Sequence, residues 1–299
     1  MFLTNEFTWI FQQITDTYGI PKYGEINPSL FSCVTFPFLF GIMFGDICHG
    51  GLLFLVGLGL CHFSDDIFAS INARSPMHGV MQLRYLLLMM GFYATFCGLM
   101  YNDFASIPLF FGTSCYVFET HPDGAIVRPQ TPELMDGCVH TIGVDPAWYL
   151  SGNEITYMNS LKMKLAVIVG VAHMSLGVLM KGFNAAYYKC KTDFFFEFIP
   201  QFVMLVALFG YMDYIIMVKW STDWTDRESR SPSIIASMIS MFLGGGVIPE
   251  GSDPLLQTAE HQKNVQINLL TIVLICAPAM LIPKPLIVYY TAKTDHDLL

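Results

Sequence analysis

The sequence predicts an all-α fold, a polytopic transmembrane helix bundle with about six membrane helices and two loops on the far side of the bilayer. Three observations predict it. Of the 299 residues 54% are hydrophobic and 13% charged, with a mean hydropathy of +0.50, whereas soluble domains carry about 25% charged residues. Apolar stretches recur at the length a bilayer requires, ~20 residues for a helix. Lysine and arginine alternate between the segments that join them, as the positive-inside rule expects.

The chain begins with MFLTNEFTWIFQQITDTYG, which lacks a basic start and carries Glu6 and Asp16. It is therefore no secretory signal. It reads as an amphipathic helix ending near Gly19, with Pro21 just beyond, so residues 1–27 form a short cytosolic start. Phe31 to Cys61 follows, apolar or small almost throughout, with Asp46 and His49 in its middle. It is long for one span and short for two. Gly45, Gly50 and Gly51 surround the polar break and favour a hairpin of two short helices, near 31–47 and 49–62; a single kinked helix is the alternative. Four further spans are expected near 83–101, 161–180, 198–218 and 264–283, so that 28–299 is one transmembrane domain. Pro200 stands just before a span, where its missing N–H costs little. Pro278 should kink the last span, and Pro283 and Pro285 end it.

Arg74 and Arg84, then Lys181, Lys189 and Lys191, then Lys284 and Lys293 place three connecting regions in the cytosol. Loops 102–160 and 219–263 then lie on the far side. The first holds Arg128 alone against Asp103, Glu119, Asp123, Glu133, Asp136, Asp145 and Glu154. The second contains SIIASMISMFL, too short to span, which should lie at the interface or dip back into the protein. Trp220, Trp224 and the tyrosines near span ends read as an aromatic belt.

Several functions are excluded. With 15 basic residues and no basic cluster, nucleic-acid binding is not expected. The sequence has no HExxH, no GxSxG and no nucleotide motif, and Gly244 to Gly246 lack the Lys-Ser/Thr of a phosphate loop. No catalytic residue, cofactor or metal site is expected, and the isolated chain is no enzyme. Cys33, Cys48, Cys61, Cys97 and Cys276 sit in apolar runs as small buried hydrophobes. Cys115 and Cys138 share one polar loop and can pair if it lies outside the cytosol.

A charge in hydrocarbon costs roughly 2.5–3.5 kcal/mol by insertion scales, so ionisable residues in spans mark ion or proton paths. The proton-path or coupling candidates are Asp46, His49, Lys164, His173, Asp213 and Lys219. Each also has a structural reading. Asp46 and His49, three apart, form a proton-handling pair or cap the hairpin turn. His173 follows Gly170 and Ala172 and reads as a packing residue between helices. Asp213, near the far end of its span, is a partly hydrated anchor that Tyr211, Tyr214 or Lys219 could partner. Lys162, Lys164 and Lys219 can snorkel to headgroups. Glu197 falls at the cytosolic boundary.

Six segments in register carry a resemblance: TFPFLFGIMFGDICHG, LMYNDF, NSLKMKLAVIVGVAHM, GYMDYIIMVKWSTDW, MFL at 241–243, and HQKNVQINLL through CAPAMLIPKPL. With the opening FTWIFQQITDTYGIPKYGEINP, they resemble the membrane domain of the subunit a family of V-type proton-pumping ATPases. The resemblance implies a stator in acidic endomembranes such as the vacuole or lysosome, with lumenal loops 102–160 and 219–263. It stands beside a rotating proteolipid c-ring and other membrane-sector subunits, with protons moving through half-channels and ATP hydrolysed in a separate sector. The family's motif around Asp46 lies away from its ring-facing arginine, which favours the structural role for Asp46 and His49. That arginine belongs to a later helix absent here, as is the family's large N-terminal soluble domain. The chain thus resembles the first six membrane helices and needs a further polypeptide or segment to supply the rest. It is expected to be a fragment, a separately encoded half or a truncated relative with an assembly role only; Met1 points to a natural product, although an added start codon would look the same. A stand-alone multipass ion transporter is the rival, against which no internal repeat is visible.

Overall fold

The computed structural model of the chain describes residues 3–70, 75–109, 111–117, 133–134, 138–222, 224, 230–248, 251–287 and 289–290. Arg74, Glu119, Asp123, Arg128, Asp136 and Lys293, invoked above for charge asymmetry, lie outside the described residues, and Glu133 is described by its backbone alone. The fold is mostly helical, with two short antiparallel strand pairs among the described residues. Two compact units divide it, Met1–Val169 and Gly170–Leu299.

In the first unit, α1 (Glu6–Tyr18) stops at Gly19. Its buried Ile10 and Phe11 pack with Cys33 and Leu86. The apolar run 31–61 folds as two 16-residue helices, α2 (Ser29–Phe44) and α3 (Ile47–His62). α4 (Ser64–Ser70) and α5 (Pro76–Gln82) are short connectors, and α6 (Arg84–Tyr101) is apolar. The register against α6 fixes the directions. Going up α2, Cys33 meets Leu86, Gly41 meets Tyr93 and Ala94, and Gly45 meets Cys97 and Tyr101. Going along α3, Ile47 meets Gly98, Gly50 meets Ala94 and Thr95, and Gly57 meets Leu88. So α2 runs parallel to α6 and α3 runs back, a reversal made at Gly45–Asp46.

Glycine sets how near these helices come. A Cβ at Gly50 would stand 2.6 Å from the Thr95 nitrogen, and one at Gly41 2.7 Å from the Tyr93 carbonyl carbon. Small residues let backbones touch where no hydrophobic effect drives helices together. Beyond α6 the chain makes a tight hairpin, Asp103–Phe104 with Ile107–Pro108, and Tyr116–Val117 pairs antiparallel with Glu133–Leu134. A 3₁₀ turn spans Pro146–Leu150. Ile42, Cys97, Tyr101, Tyr149 and Met158 form the core beneath it.

α7 (Glu154–Tyr187) has 34 residues and begins earlier and ends later than the expected 161–180. The early start has a packing cause: Met158 is buried in that core and Tyr157 stacks on Trp148 at 3.9 Å. In the second unit, α8 (Lys191–Ser221) likewise starts before the expected 198, and it widens into π-helical turns at Phe194–Phe198 and Val206–Gly210. The first of these turns holds Phe196, whose carbonyl an α-helix would drive into the Pro200 ring, and widening relieves that clash. α9 (Ile234–Leu243) carries the short apolar piece, its Met241 buried with Tyr211, Ile215 and Leu255. α10 (Ala259–Leu281) passes through Pro278 and continues to Leu281.

Three helices, Glu154–Tyr187, Lys191–Ser221 and Ala259–Ile287, are long and apolar enough to cross a membrane. The number rises to five if the bent pairs α3 with α4 and α5 with α6 each count as one span, and α2 is a shorter apolar helix. Leu55 on α3 and Leu274 on α10 keep 64% and 66% exposure, a placement that suits lipid contact better than water.

Candidate functional site

The ionisable groups of the first unit gather where α2 turns into α3. The α2 helix ends at Phe44 and Gly45 breaks it, so that Asp46 takes the extended backbone of an N-cap. Its Oδ1 accepts from the Cys48 amide at 2.8 Å, satisfying an otherwise orphaned donor of α3. The same oxygen accepts from the Ala105 amide at 3.0 Å. His49 pairs through Nδ1 with the other carboxylate oxygen.

Ala105 and Ser106 form the two-residue turn of the tight hairpin, with φ of 52° and 65°. Left-handed backbone suits such turns sterically but strains non-glycine residues by about 1–3 kcal/mol each. Two carboxylates hold it: Asp46 binds Ala105, and Asp103 Oδ1 accepts from the Ser106 amide at 2.9 Å. Lys162 of α7 completes the cluster. Its Nζ lies 3.4 Å from Asp103 Oδ2, 3.5 Å from the Gly45 carbonyl and 4.9 Å from the centre of the Tyr101 ring. Tyr149 donates to the Tyr101 carbonyl at 3.1 Å, and Tyr101 donates to the Ile42 carbonyl at 2.9 Å. Asn102 caps α6 in the left-handed region and donates to the carbonyls of Ile142 and Val144.

The electrostatics follow from this geometry. Burial pushes the Asp46 carboxyl up, but the Ala105 amide, His49 and the Cys48 amide outweigh it and hold it below the usual carboxylate value. Burial, with Asp103 and Glu154 nearby, raises the Tyr149 phenol, which stays a neutral donor. Next to this cluster, Asp145 accepts from Ser114 Oγ, the Cys115 amide and the Ala147 amide at 2.8, 2.8 and 2.9 Å. Cys115 and Cys138 are joined by a disulfide, their Cα atoms 5.5 Å apart. His140 stands with Nδ1 3.8 Å from Asp145 Oδ2, and neither ring nitrogen has a hydrogen-bond partner.

The sequence candidates separate. Asp46 and His49 come together. Lys164 is half-buried on α7 and outside the cluster, which recruits Lys162 instead. Two positions is more than half a helical turn, so the two lysines point in different directions. His173 lies on α7 in the second unit, half-buried. Asp213 is half-buried on α8, with Oδ1 lacking a hydrogen-bond partner. Of its expected partners, Tyr211 accepts from Gln266 at 3.0 Å. Lys219 donates to the Pro232 carbonyl at 2.8 Å. Glu197 binds Lys181 and Lys284, and Lys284 also reaches Asp193 at 3.0 Å. Sequence reasoning passed over Asp103, Tyr149 and Asn102. LMYNDF contains two of them, but only the fold brings that stretch against Asp46.

The cluster pairs charges and caps backbone. Among the described residues no group of three or more His, Cys, Asp or Glu side chains could hold a metal ion. A sequence model of the V-type ATPase 116kDa subunit family matches residues 1–298. The chain is 35% identical to "V-type proton ATPase subunit a" of Schizosaccharomyces pombe, covering 99% of this chain and 34% of that protein. It is 38% identical to "V-type proton ATPase subunit a3" of Arabidopsis thaliana, covering 99% and 35%. It is 36% identical to "V-type proton ATPase 116 kDa subunit a 1" of Mus musculus, covering 95% and 35%. The chain thus spans about a third of the length of the curated relatives it matches.

Proposed function

Because the chain belongs to the V-type ATPase 116kDa subunit family, we propose that it forms the membrane-embedded, stationary part of subunit a in the proton-translocating sector of a V-type ATPase. The observation that carries this is the unbroken family match over residues 1–298. The work is architectural: the bundle positions proton half-channels against a proteolipid c-ring and insulates them. Insulation matters because each proton crossing carries about 2.3 kcal/mol per 100 mV.

Six spans fit this role, namely α2, α3, α6, α7, α8 and α10. The first unit supports the alternation. Its Gly45–Asp46 turn, the hairpin at Asp103–Pro108 and the disulfide-bearing loop gather at the C-terminal end of α6, while Glu6 of α1 reaches Arg84 at the N-terminal end. A disulfide belongs to an oxidising compartment, so that end is the lumenal one and residues 1–27 are cytosolic. α2 and α3, at 16 residues, rise about 24 Å each, some ~6 Å short of the ~30 Å hydrocarbon core, a mismatch that local thinning of the bilayer accommodates. Asp46 and His49 act in this reading as a latch that sets the hairpin. Lys164, His173, Asp213 and Lys219 remain candidates for coupling or proton passage, and acidic endomembranes are the location.

Affinity purification of the tagged chain from native membranes tests the proposal. Co-migration with the proteolipid and the ATPase subunits is expected. A chain that purifies alone and transports ions by itself would refute it.

A further inference from the structure

At the N-terminal end of α6, away from the cluster around Asp46, lies a cleft of about 470 Å³. Glu6, Trp9, Phe68, His78, Gln82 and Arg84 line it. Arg84 is the first residue of α6 and keeps 9% exposure. Its guanidinium is under-used. Nη2 donates to Glu6 Oε2 at 2.9 Å, and Nη1 makes a long contact to the Met81 carbonyl at 3.3 Å. Nε is buried with no hydrogen-bond partner. Arginine has five N–H donors in a planar fork, and a buried donor left unpaired costs about 1–3 kcal/mol.

We propose that this cleft binds the phosphate of a membrane phospholipid, with Arg84 as its anchor. The Nε–Nη2 edge of a guanidinium matches two oxygens of a tetrahedral anion and binds them through parallel hydrogen bonds. Glu6 holds part of that edge, but its side chain is 78% exposed, so it can swing into water when a stronger anion arrives. The rings of Phe68 and Tyr85 lie 5.5 and 4.7 Å from the guanidinium carbon and keep its charge out of bulk solvent. His78 and Gln82, 3.3 Å apart, stand at the cleft as further polar groups. The location selects a lipid. Arg84 opens an apolar helix, Trp9 of the amphipathic α1 forms one wall, and headgroup phosphates are the anions concentrated at that level.

Native mass spectrometry of the full detergent-purified chain tests this with dioleoyl phosphatidic acid, dioleoyl phosphatidylcholine and inorganic phosphate as separate probes. Wild type is expected to retain one phosphatidic acid, and Arg84→Gln to weaken retention by roughly tenfold or more, the scale of one lost charge-assisted contact. Glu6→Gln removes the competing carboxylate and should tighten retention severalfold. Equal retention by wild type and Arg84→Gln overturns the proposal. Arg84-dependent binding of inorganic phosphate without lipid retention overturns the lipid assignment. Should Arg84→Gln fail to accumulate, Glu6→Gln decides, since it alters one exposed side chain; unchanged retention there overturns the site.

Discussion

Replacing Asp46 separates its two kinds of work. Asp46→Ala removes the N-cap of α3, typically worth about 0.5–2 kcal/mol. It also frees the Ala105 amide, held at 3.0 Å in a turn whose φ values of 52° and 65° are strained. Hydrogen bonds to charged groups contribute about 1.5–3 kcal/mol each, and two that share one oxygen will not add fully. A loss of roughly 2–3 kcal/mol is expected for alanine. Asp46→Asn differs. Asparagine caps about as well as aspartate and keeps an oxygen for both amides. It gives up the carboxylate's contact with His49, whose side chain is 62% exposed, so the cost is within about 1 kcal/mol. The assay is the fraction of chain recovered with the ATPase subunits, and the proton flux per recovered complex. Alanine should lower assembly strongly and asparagine weakly, with flux per assembled complex near normal in both. Normal assembly with abolished flux in Asp46→Asn would refute the reasoning and make the carboxylate a proton carrier.

Gly50→Ala should destabilise by about 1–3 kcal/mol through overpacking, because its Cβ would come within 2.6 Å of the α6 backbone. Gly51→Ala, with nothing within 4 Å, should be neutral or stabilising in a thermal aggregation assay. Cys190 is exposed between α7 and α8, so a membrane-impermeant maleimide should label it from the cytosolic side of sealed vesicles, whereas Cys115 and Cys138 should label only after reduction and from the lumen. Labelling of Cys190 from the lumen would invert the topology. The Asp46 carboxyl, lying in the turn outside both helices, is held below its usual value. The unfolded chain therefore takes up its proton first as pH falls. The stabilisation is full above the unfolded value of about 3.9 and lost only as pH drops through the lower folded value. Protease protection of the turn should be flat from pH 7 to about 5 and fall below about 4, with a flatter acid limb in Asp46→Asn.

Apolar run lengths and the break at Gly45–Asp46 were legible in the sequence because hydrocarbon thickness and backbone breaking act locally, on a few consecutive residues. The α1 boundary at Gly19 was legible for the same reason. Family kinship was legible too, because segments such as TFPFLFGIMFGDICHG and NSLKMKLAVIVGVAHM keep their order along the whole chain. The early start of α7 and the π-helical turns of α8 were not, since burial of Met158 and the clash at Pro200 decide them. Nor was the choice of Lys162 over Lys164, which rests on which face of α7 turns towards Asp103, or the meeting of Asp46 with an amide 59 positions away. Composition and spacing determine that a chain must avoid water and where it can cross lipid. Which charges pair depends on distances of a few ångströms between segments far apart in sequence, and only packing sets those.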